Sequence, residues 1–180
     1  MISELIENYL FKYSKKVKSY SLVISTNAYP QIFKLGIVLD NNYFLNGLKK
    51  LKIKKRTHII ILGNTKNNYI KKLVFFLNQK GYKNVKSYNS LKINLFNLQN
   101  KFYKSIFDFL VIAKSQKIIM SNSTFCWWAT LTREYFKQDS SRTVIGPKKY
   151  TNNMKNNYDN PGNPNLKWQY INNLFIKNFF

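Results

Sequence analysis

Short apolar runs alternate along the chain with longer amphipathic segments. Runs of four to eight apolar residues bounded by polar ones are typical of buried strands. Such runs predict strands at 19–26, 58–62, 84–88, 117–120 and 142–145. Between them, apolar residues recur with helical spacing, as in Ile70, Leu73 and Leu77. The repeated strand–helix–strand order predicts an α/β fold, namely a Rossmann-like parallel sheet flanked by helices, with ligand beyond the C-terminal strand ends.

Polar residues mark where the helices begin. Asp40 or Asn41 can cap a first helix, and the turn at Gly63 leads into a second that ends near Gly81. A third helix is predicted over 101–114 and a fourth after residue 123. The inner face of the fourth helix is expected to carry Phe125, Trp128, Ala129, Thr132 and Phe136.

Length and composition indicate one domain over 1–180. The chain has 180 residues, of which 44% are hydrophobic, and no shift in composition marks a second domain. Residues 1–17 are expected to form an N-terminal helix packed on the core. Residues 151–165, rich in Asn, Gly and Pro, predict a loop, and 166–180 a C-terminal helix that docks through Trp168, Ile171, Leu174 and Phe175.

The chain is strongly basic, with 30 Lys+Arg against 7 Asp+Glu and a formal net charge of +23. Such a charge is typical of proteins that bind nucleic acid or an anionic membrane. We interpret the lysines as spread along the chain, without a Gly-aromatic signature of RNA-binding proteins, so nucleic acid is the less favoured partner. An A+T-rich coding sequence also produces an excess of Lys, Asn, Ile, Tyr and Phe. The charge still favours the approach of a polyanionic small molecule.

Cysteine usage and the absence of long apolar runs indicate a cytoplasmic location. Cys126 is the single cysteine, so no intrachain disulfide can form. His58, the single histidine, falls in a predicted apolar strand, which disfavours Cys–His catalysis. No apolar run approaches the roughly 18 residues of a membrane span. The first segment lacks the charge order of a signal peptide, and the alternative to its packing on the core is a peripheral position at the membrane surface.

The segment KIIMSNSTFCWW, residues 117–128, combines an apolar strand with a polar helix start. Ser121, Asn122, Ser123 and Thr124 can cap the following helix. The free N–H groups and the dipole of a helix start also favour an anion such as phosphate. The segment therefore predicts a phosphate-binding turn, with ordinary helix capping as the alternative.

The run NSTFCWWATL, preceded by FDFLVIAKSQKIIMS, resembles the NSTFSWWaAwL block of family 11 glycosyltransferases, the α-1,2-fucosyltransferases. The resemblance is strong over 108–147 and weaker over 35–77. It implies the C-terminal, donor-binding half of a two-domain, GT-B-like enzyme that needs no metal or other cofactor. The implied donor substrate is GDP-fucose, and the implied reaction transfers fucose with inversion to a glycan hydroxyl.

The resemblance also implies roles for particular residues. Asp108 corresponds to an Asp that opens the preceding helix and contacts the guanine, and its alternative role is a helix N-terminal charge favoured by the dipole. The hydroxyls of the next strand-to-helix turn hold the diphosphate. The implied donor-binding set is Asp108, Ser121, Asn122, Ser123, Thr124 and Phe125. The pocket wall is assigned to Tyr29, Asn64, Trp127 and Trp128.

Two family motifs are degenerate in this chain. The HxRRGDY strand end, whose Arg binds the donor phosphates, corresponds to residues 23–29, where the tyrosine alone survives. The FSDD turn corresponds to 62–65 without its acids, and no general base or other catalytic residue is identifiable. Two functional classes stay open. One is a fucosyltransferase, or its donor-binding half with a second chain supplying the acceptor domain, and the other a noncatalytic GDP-sugar-binding remnant.

Overall fold

The structure, a computed structural model, describes seven stretches of the chain. They are residues 22–26, 38–63, 68–87, 101–136, 143–149, 168–174 and 176. The predicted N-terminal helix at 1–17 and the predicted loop at 151–165 lie outside these stretches.

Six strands form one sheet in which every neighbouring pair is parallel. The strands are β1 (Leu22–Ser25), β2 (Ile59–Leu62), β3 (Val85–Ser87), β4 (Lys117–Ile119), β5 (Thr143–Pro147) and β6 (Gln169–Ile171). Their order is β3-β2-β1-β4-β5-β6, the order of a doubly wound α/β sheet. The predicted parallel α/β fold is confirmed, and the five strands predicted between residues 19 and 145 all form.

Among the described residues, four helices connect the strands from β1 to β5. They are α1 (Asn41–Lys50), α2 (Asn68–Gln79), α3 (Lys101–Lys114) and α4 (Thr124–Phe136). Consecutive residues of a strand point to opposite faces of the sheet, so each strand supplies both cores. Ile59 and Ile61 pack with α1 and α2, whereas Ile60 and Leu62 pack with α3 and α4. Burial on both faces explains why β2 is a continuous apolar run rather than an alternating one.

Two buried tyrosine hydroxyls tie the α1–α2 layer to neighbouring backbone. Tyr43 donates to the Met120 carbonyl at 2.7 Å, and Tyr69 donates to the Leu39 carbonyl at 2.7 Å. Burial and, secondarily, the charge of Asp40 raise the pKa of Tyr69 well above its ordinary value. Asp40 is the N-cap of α1, because its carboxylate accepts from the Tyr43 N–H at 2.9 Å. The predicted cap of this helix is therefore confirmed.

The predicted C-terminal helix is wrong where the structure describes it. Residues 169–171 form β6, which pairs with β5 in the register Gly146↔Tyr170. Beyond β6, the Leu174 carbonyl accepts from the Asp40 N–H, and the Ile176 N–H donates to the Val38 carbonyl. The apolar side chains of this segment have a spacing that fits a helix. Its backbone instead forms hydrogen bonds to β5 and so covers the open edge of that strand.

The predicted inner face of α4 is also wrong in part. Phe125 and Trp128 are 39% and 58% exposed, whereas Cys126, Ala129 and Thr130 are fully buried. These three residues are small, so α4 can approach the sheet closely while the large aromatic side chains remain outside. The Thr130 hydroxyl donates to the Cys126 carbonyl at 2.8 Å, which leaves no unpaired polar group on this face at residue 130.

Candidate functional site

The strand order reverses between β1 and β4, and the candidate site lies at the C-terminal ends of these two strands. In doubly wound sheets the connections from two such strands leave toward opposite faces, which opens a crevice where ligands bind. The register pairs Ile24 with Ile119, so Thr26 and Ser121 occupy equivalent positions just beyond the two strands. The predicted phosphate-binding turn therefore begins at the topological switch point.

The turn from β4 into α4 is anchored at Met120. Its N–H donates to the Ile145 carbonyl at 2.9 Å, and its carbonyl accepts from the Tyr43 hydroxyl. Ser121 and Asn122 are buried, Ser123 is half-buried, and Thr124 is exposed. The Ser123 carbonyl accepts the first helical bond, from the Trp127 N–H at 2.9 Å, so Ser123 is the N-cap residue. The N–H groups of Thr124 and Phe125 thus precede the first intrahelical bond and open the helix.

The Ser121 hydroxyl is a buried polar group of this turn. The residue is 1% exposed, and within the described part of the chain its Oγ has no hydrogen-bond partner. Leaving a buried hydroxyl unsatisfied costs about 1–3 kcal/mol, so native structures rarely retain such groups without a role. The Ser121 hydroxyl is therefore a polar group of the predicted set that the described residues leave without a partner.

The end of β1 is closed by contacts within the protein. The Thr26 hydroxyl and N–H both donate to the Leu62 carbonyl at 2.9 Å. Gly63 lies against Thr26 with φ +144°, and a Cβ there would lie 2.1 Å from Thr26 Oγ1. The hydroxyl of Thr26 is thus committed to the sheet. Tyr29 and Asn64, assigned to the pocket wall, lie outside the described residues.

Asp108 lies in the middle of α3, not at its start. No acidic residue occupies the first turn of α3, so the helix N-terminal charge that was its alternative role is wrong. The residue is 8% exposed, on a helix face that also carries the buried Val111 and Ile112. The Phe109 ring contacts the Phe125 ring, with centroids 5.8 Å apart. This contact brings the turn of α3 that holds Asp108 beside the first turn of α4.

The two tryptophans of α4 occupy different environments. Trp127 is half-buried between Trp128 and Trp168, with ring centroids 4.9 Å and 6.3 Å away. Trp168 is buried in the core cluster, whereas Trp128 projects into solvent. Trp128 therefore presents an aromatic surface near the start of α4, supported from beneath by the Trp127 ring.

Cys126 and His58 do not form a catalytic pair. Cys126 is fully buried in the first turn of α4, at the C-terminal edge of the sheet. His58 is exposed and precedes β2, at the opposite edge, rather than lying inside an apolar strand as predicted. Across the described stretches, no three His, Cys, Asp or Glu residues come together where they could hold a metal ion. No helix among the described residues is long and apolar enough to cross a membrane.

The sequence interpretation missed one cluster of charged residues. Residues 49–56, KKLKIKKR, contain six basic residues, and all six side chains are exposed. The cluster can be found in the sequence as a local excess of basic residues. The lysines spread over the remaining chain make this excess hard to notice.

The strand order and the helices on both faces of the sheet define a class, the doubly wound α/β domains. The chain matches no protein-family model, no curated protein and no solved structure.

Proposed function

We propose that this chain is the donor-binding domain of a glycosyltransferase of the α-1,2-fucosyltransferase type, with a GT-B-like architecture. It binds GDP-fucose at the switch-point crevice and transfers fucose, with inversion, to a glycan hydroxyl. The observation that carries the proposal is the polar turn 121–124, which opens a 13-residue helix at the crevice. The resemblance of NSTFCWWATL to the fucosyltransferase block supports the choice of donor.

The diphosphate is assigned to the start of α4. The N–H groups of Thr124 and Phe125 and the positive end of the helix dipole attract an anion. The exposed Thr124 hydroxyl adds a donor, and Ser123 lies one residue before it. The Ser121 hydroxyl, together with the amide of Asn122, lies at the base of the same turn. The net charge of +23 accelerates the approach of a nucleotide diphosphate.

Guanine is assigned to Asp108. A carboxylate can accept two parallel N–H bonds, from N1 and N2 of guanine, and adenine cannot supply this pair. The Phe109–Phe125 contact places this part of α3 next to the phosphate-binding turn. The donor would then bridge α3 and α4, with its base toward α3.

The fucose and the acceptor glycan are assigned to the exposed aromatic side of the crevice. Trp128 is 58% exposed, and the faces of sugar rings stack on such indole surfaces. Tyr29 and Asn64 complete this wall in the proposal. A second chain or domain supplies the acceptor side, as a GT-B-like architecture requires.

Donor binding without turnover is a second candidate, favoured by the end of β1. During transfer, negative charge develops on GDP, and losing one preorganised donor to it costs about 100- to 1,000-fold in rate. Residues 23–29 contain no Arg or Lys, and the Thr26 hydroxyl is bonded to Leu62. A hydroxyl cannot replace the bidentate guanidinium of the family motif.

Calorimetric titration of GDP tests the phosphate site. Thr124→Val removes an exposed hydroxyl and keeps the side-chain shape, while Thr132→Val is the matched control two turns along the same helix. A hydrogen bond to a charged group is worth about 1.5–3 kcal/mol, so Thr124→Val should weaken GDP binding about 10- to 100-fold. The control should bind like wild type. No binding by wild type, or equal affinities of the two variants, would contradict the proposal.

Titration of ADP alongside GDP tests the guanine site. Asp108→Asn keeps the shape of the buried side chain but replaces one acceptor oxygen by a donor. The variant should bind GDP more weakly and ADP with unchanged affinity, so the ratio of the two affinities should fall. Circular dichroism must show that the variant keeps its fold. Release of GDP from GDP-fucose in the presence of acceptor glycans then separates the two candidates. A protein that binds the donor but releases no GDP, alone or together with a chain that supplies the acceptor side, is the noncatalytic one.

A further inference from the structure

A dense basic surface lies at the N-terminal edge of the sheet, opposite the candidate site. We call it the basic edge: the six basic residues of 49–56 together with Lys80, Lys83 and Lys86, all exposed. The segments 49–58 and 80–87 contain no Asp or Glu. Asp40, the acid nearest in sequence to residues 49–56, caps the opposite end of α1. The charge of the basic edge is therefore not neutralised from within these segments.

Hydrogen bonds and a cation–π contact join the two basic segments into one surface. Lys55 Nζ donates to the Lys80 carbonyl and lies 3.8 Å from the centroid of the Tyr82 ring. The Asn84 side chain donates to the Arg56 carbonyl at 2.8 Å, and the Ile59 N–H donates to the Asn84 carbonyl at 3.0 Å. These bonds hold like charges side by side, which raises the local potential and favours a polyanionic partner.

Helix stability accounts for only part of the basic edge. Lys49 and Lys50 lie in the last turn of α1, where positive charge interacts favourably with the helix dipole. Lys52 has a positive φ of 52°, which reverses the chain after α1. Lys52, Lys54 and Arg56 lie beyond the helix, where the dipole gives them no such role. Their exposure at one edge points to a partner outside the chain.

Two features favour a lipid surface over nucleic acid. Eight of the nine basic residues are lysine, which acts as a hydrated point charge, whereas arginine provides the bidentate contacts of base recognition. Phe75 on α2 is 64% exposed and lies one turn after the exposed Lys71 and Lys72, and Lys80 follows directly after the end of the helix. An exposed aromatic side chain among lysines is typical of proteins that rest on an anionic bilayer.

We propose that the basic edge docks the domain on an anionic phospholipid bilayer, with Phe75 entering the interface. The candidate donor site at the other edge of the sheet then faces away from the lipid. The proposal does not depend on nucleotide-sugar binding, because most of the basic edge precedes β2 and β3, at the ends of these strands opposite the candidate site. Nine of the basic residues are thus concentrated at one edge of the sheet, whereas the sequence indicated an even spread of lysine along the chain.

Cosedimentation with vesicles tests the docking. The probes are vesicles of phosphatidylcholine mixed with phosphatidylserine, and vesicles of phosphatidylcholine alone. The test variant is Lys54→Gln/Arg56→Gln, and the matched control is Lys148→Gln/Lys149→Gln, which removes the same charge at the C-terminal edge of the sheet. Each basic residue near an anionic surface contributes about fivefold, so the test variant should bind about 30-fold more weakly. The control should stay within a few-fold of wild type, and binding should fall as salt is raised.

The outcomes decide the proposal. Loss of binding in the test variant alone, with further weakening by Phe75→Ser, supports docking through the basic edge. Equal losses in the two double variants would show a response to net charge only and overturn it. Absence of binding to serine-containing vesicles would also overturn it. If the test variant loses affinity for random-sequence RNA but keeps its affinity for vesicles, the basic edge serves nucleic acid and the lipid proposal fails.

Discussion

Gly63→Ala is expected to destabilise the protein at the switch point. Gly63 has φ +144°, a region that residues with a Cβ rarely enter. The added Cβ would lie 2.1 Å from Thr26 Oγ1 and 3.1 Å from the Thr26 carbonyl. One of these atoms is backbone, so a rotation of the Thr26 side chain cannot relieve both contacts. The Thr26 hydroxyl must leave its bond to the Leu62 carbonyl.

The size of the effect follows from three contributions. The backbone conformation costs about 1–3 kcal/mol for a residue with a Cβ. Overpacking against Thr26 costs about 1–3 kcal/mol, and loss of the hydroxyl bond about 1 kcal/mol. The free energy of unfolding should therefore fall by about 3–7 kcal/mol, a large fraction of the 5–15 kcal/mol of an ordinary domain. Urea denaturation followed by circular dichroism measures it.

Gly81→Ala is the matched control. Gly81 also has a positive φ, of 89°, but a Cβ there meets only the Lys55 side chain, at 3.6 Å or more. It should cost about 1–2 kcal/mol, from the backbone alone. In a Thr26→Ala background, Gly63→Ala should cost about 2 kcal/mol less than in wild type, because Oγ1 is gone. Equal costs at Gly63 and Gly81, or an unchanged cost in the Thr26→Ala background, would refute the overlap as the cause.

Two further predictions concern the α1–α2 layer. Asp40→Ala should lower the free energy of unfolding by about 1 kcal/mol and Asp40→Asn by much less in urea denaturation, because asparagine still caps α1; equal losses would contradict the capping role. Burial, then the Asp40 charge, raises the pKa of Tyr69, so the folded protein keeps the phenol proton while the unfolded chain releases it above about pH 10. The contribution of Tyr69 to the free energy of unfolding is thus fully present below about pH 10 and is lost as the pH rises above it. In Tyr69→Phe, the free energy of unfolding should decline with pH less steeply than in wild type, by up to about 1.4 kcal/mol per pH unit. Equal slopes in the two proteins would contradict a buried phenol.

Local pattern predicted the elements of this fold well, and pairing at the sheet edge poorly. The helix predicted over 101–114 forms with those bounds, because its apolar spacing is regular over several turns. The prediction of a helix at residues 169–171 was wrong, because the strand they form depends on the open edge of β5. The local spacing of apolar residues does not reveal that edge. On α4, hydrophobicity placed Phe125 and Trp128 inside, but close approach of helix and sheet selected the small Cys126 and Ala129.

The candidate site was predictable in its chemistry but not in its surroundings. The polar turn at 121–124 can be recognised from capping residues after an apolar strand. The neighbouring position of β1 and β4 cannot, because it results from a pairing between strands far apart in sequence. The burial of Asp108 in mid-helix depends on how α3 and α4 meet, as the Phe109–Phe125 contact shows.

The bonds of residues 174 and 176 to Val38 and Asp40 have a consequence for synthesis on the ribosome. The strand that covers β5 and the segment that bonds to the entrance of α1 are synthesised after every other described element. Until they emerge, the nascent chain exposes an apolar strand, Val144–Ile145, along an open edge that can recruit another copy. Early termination before residue 168 should therefore yield inclusion bodies rather than a smaller stable protein.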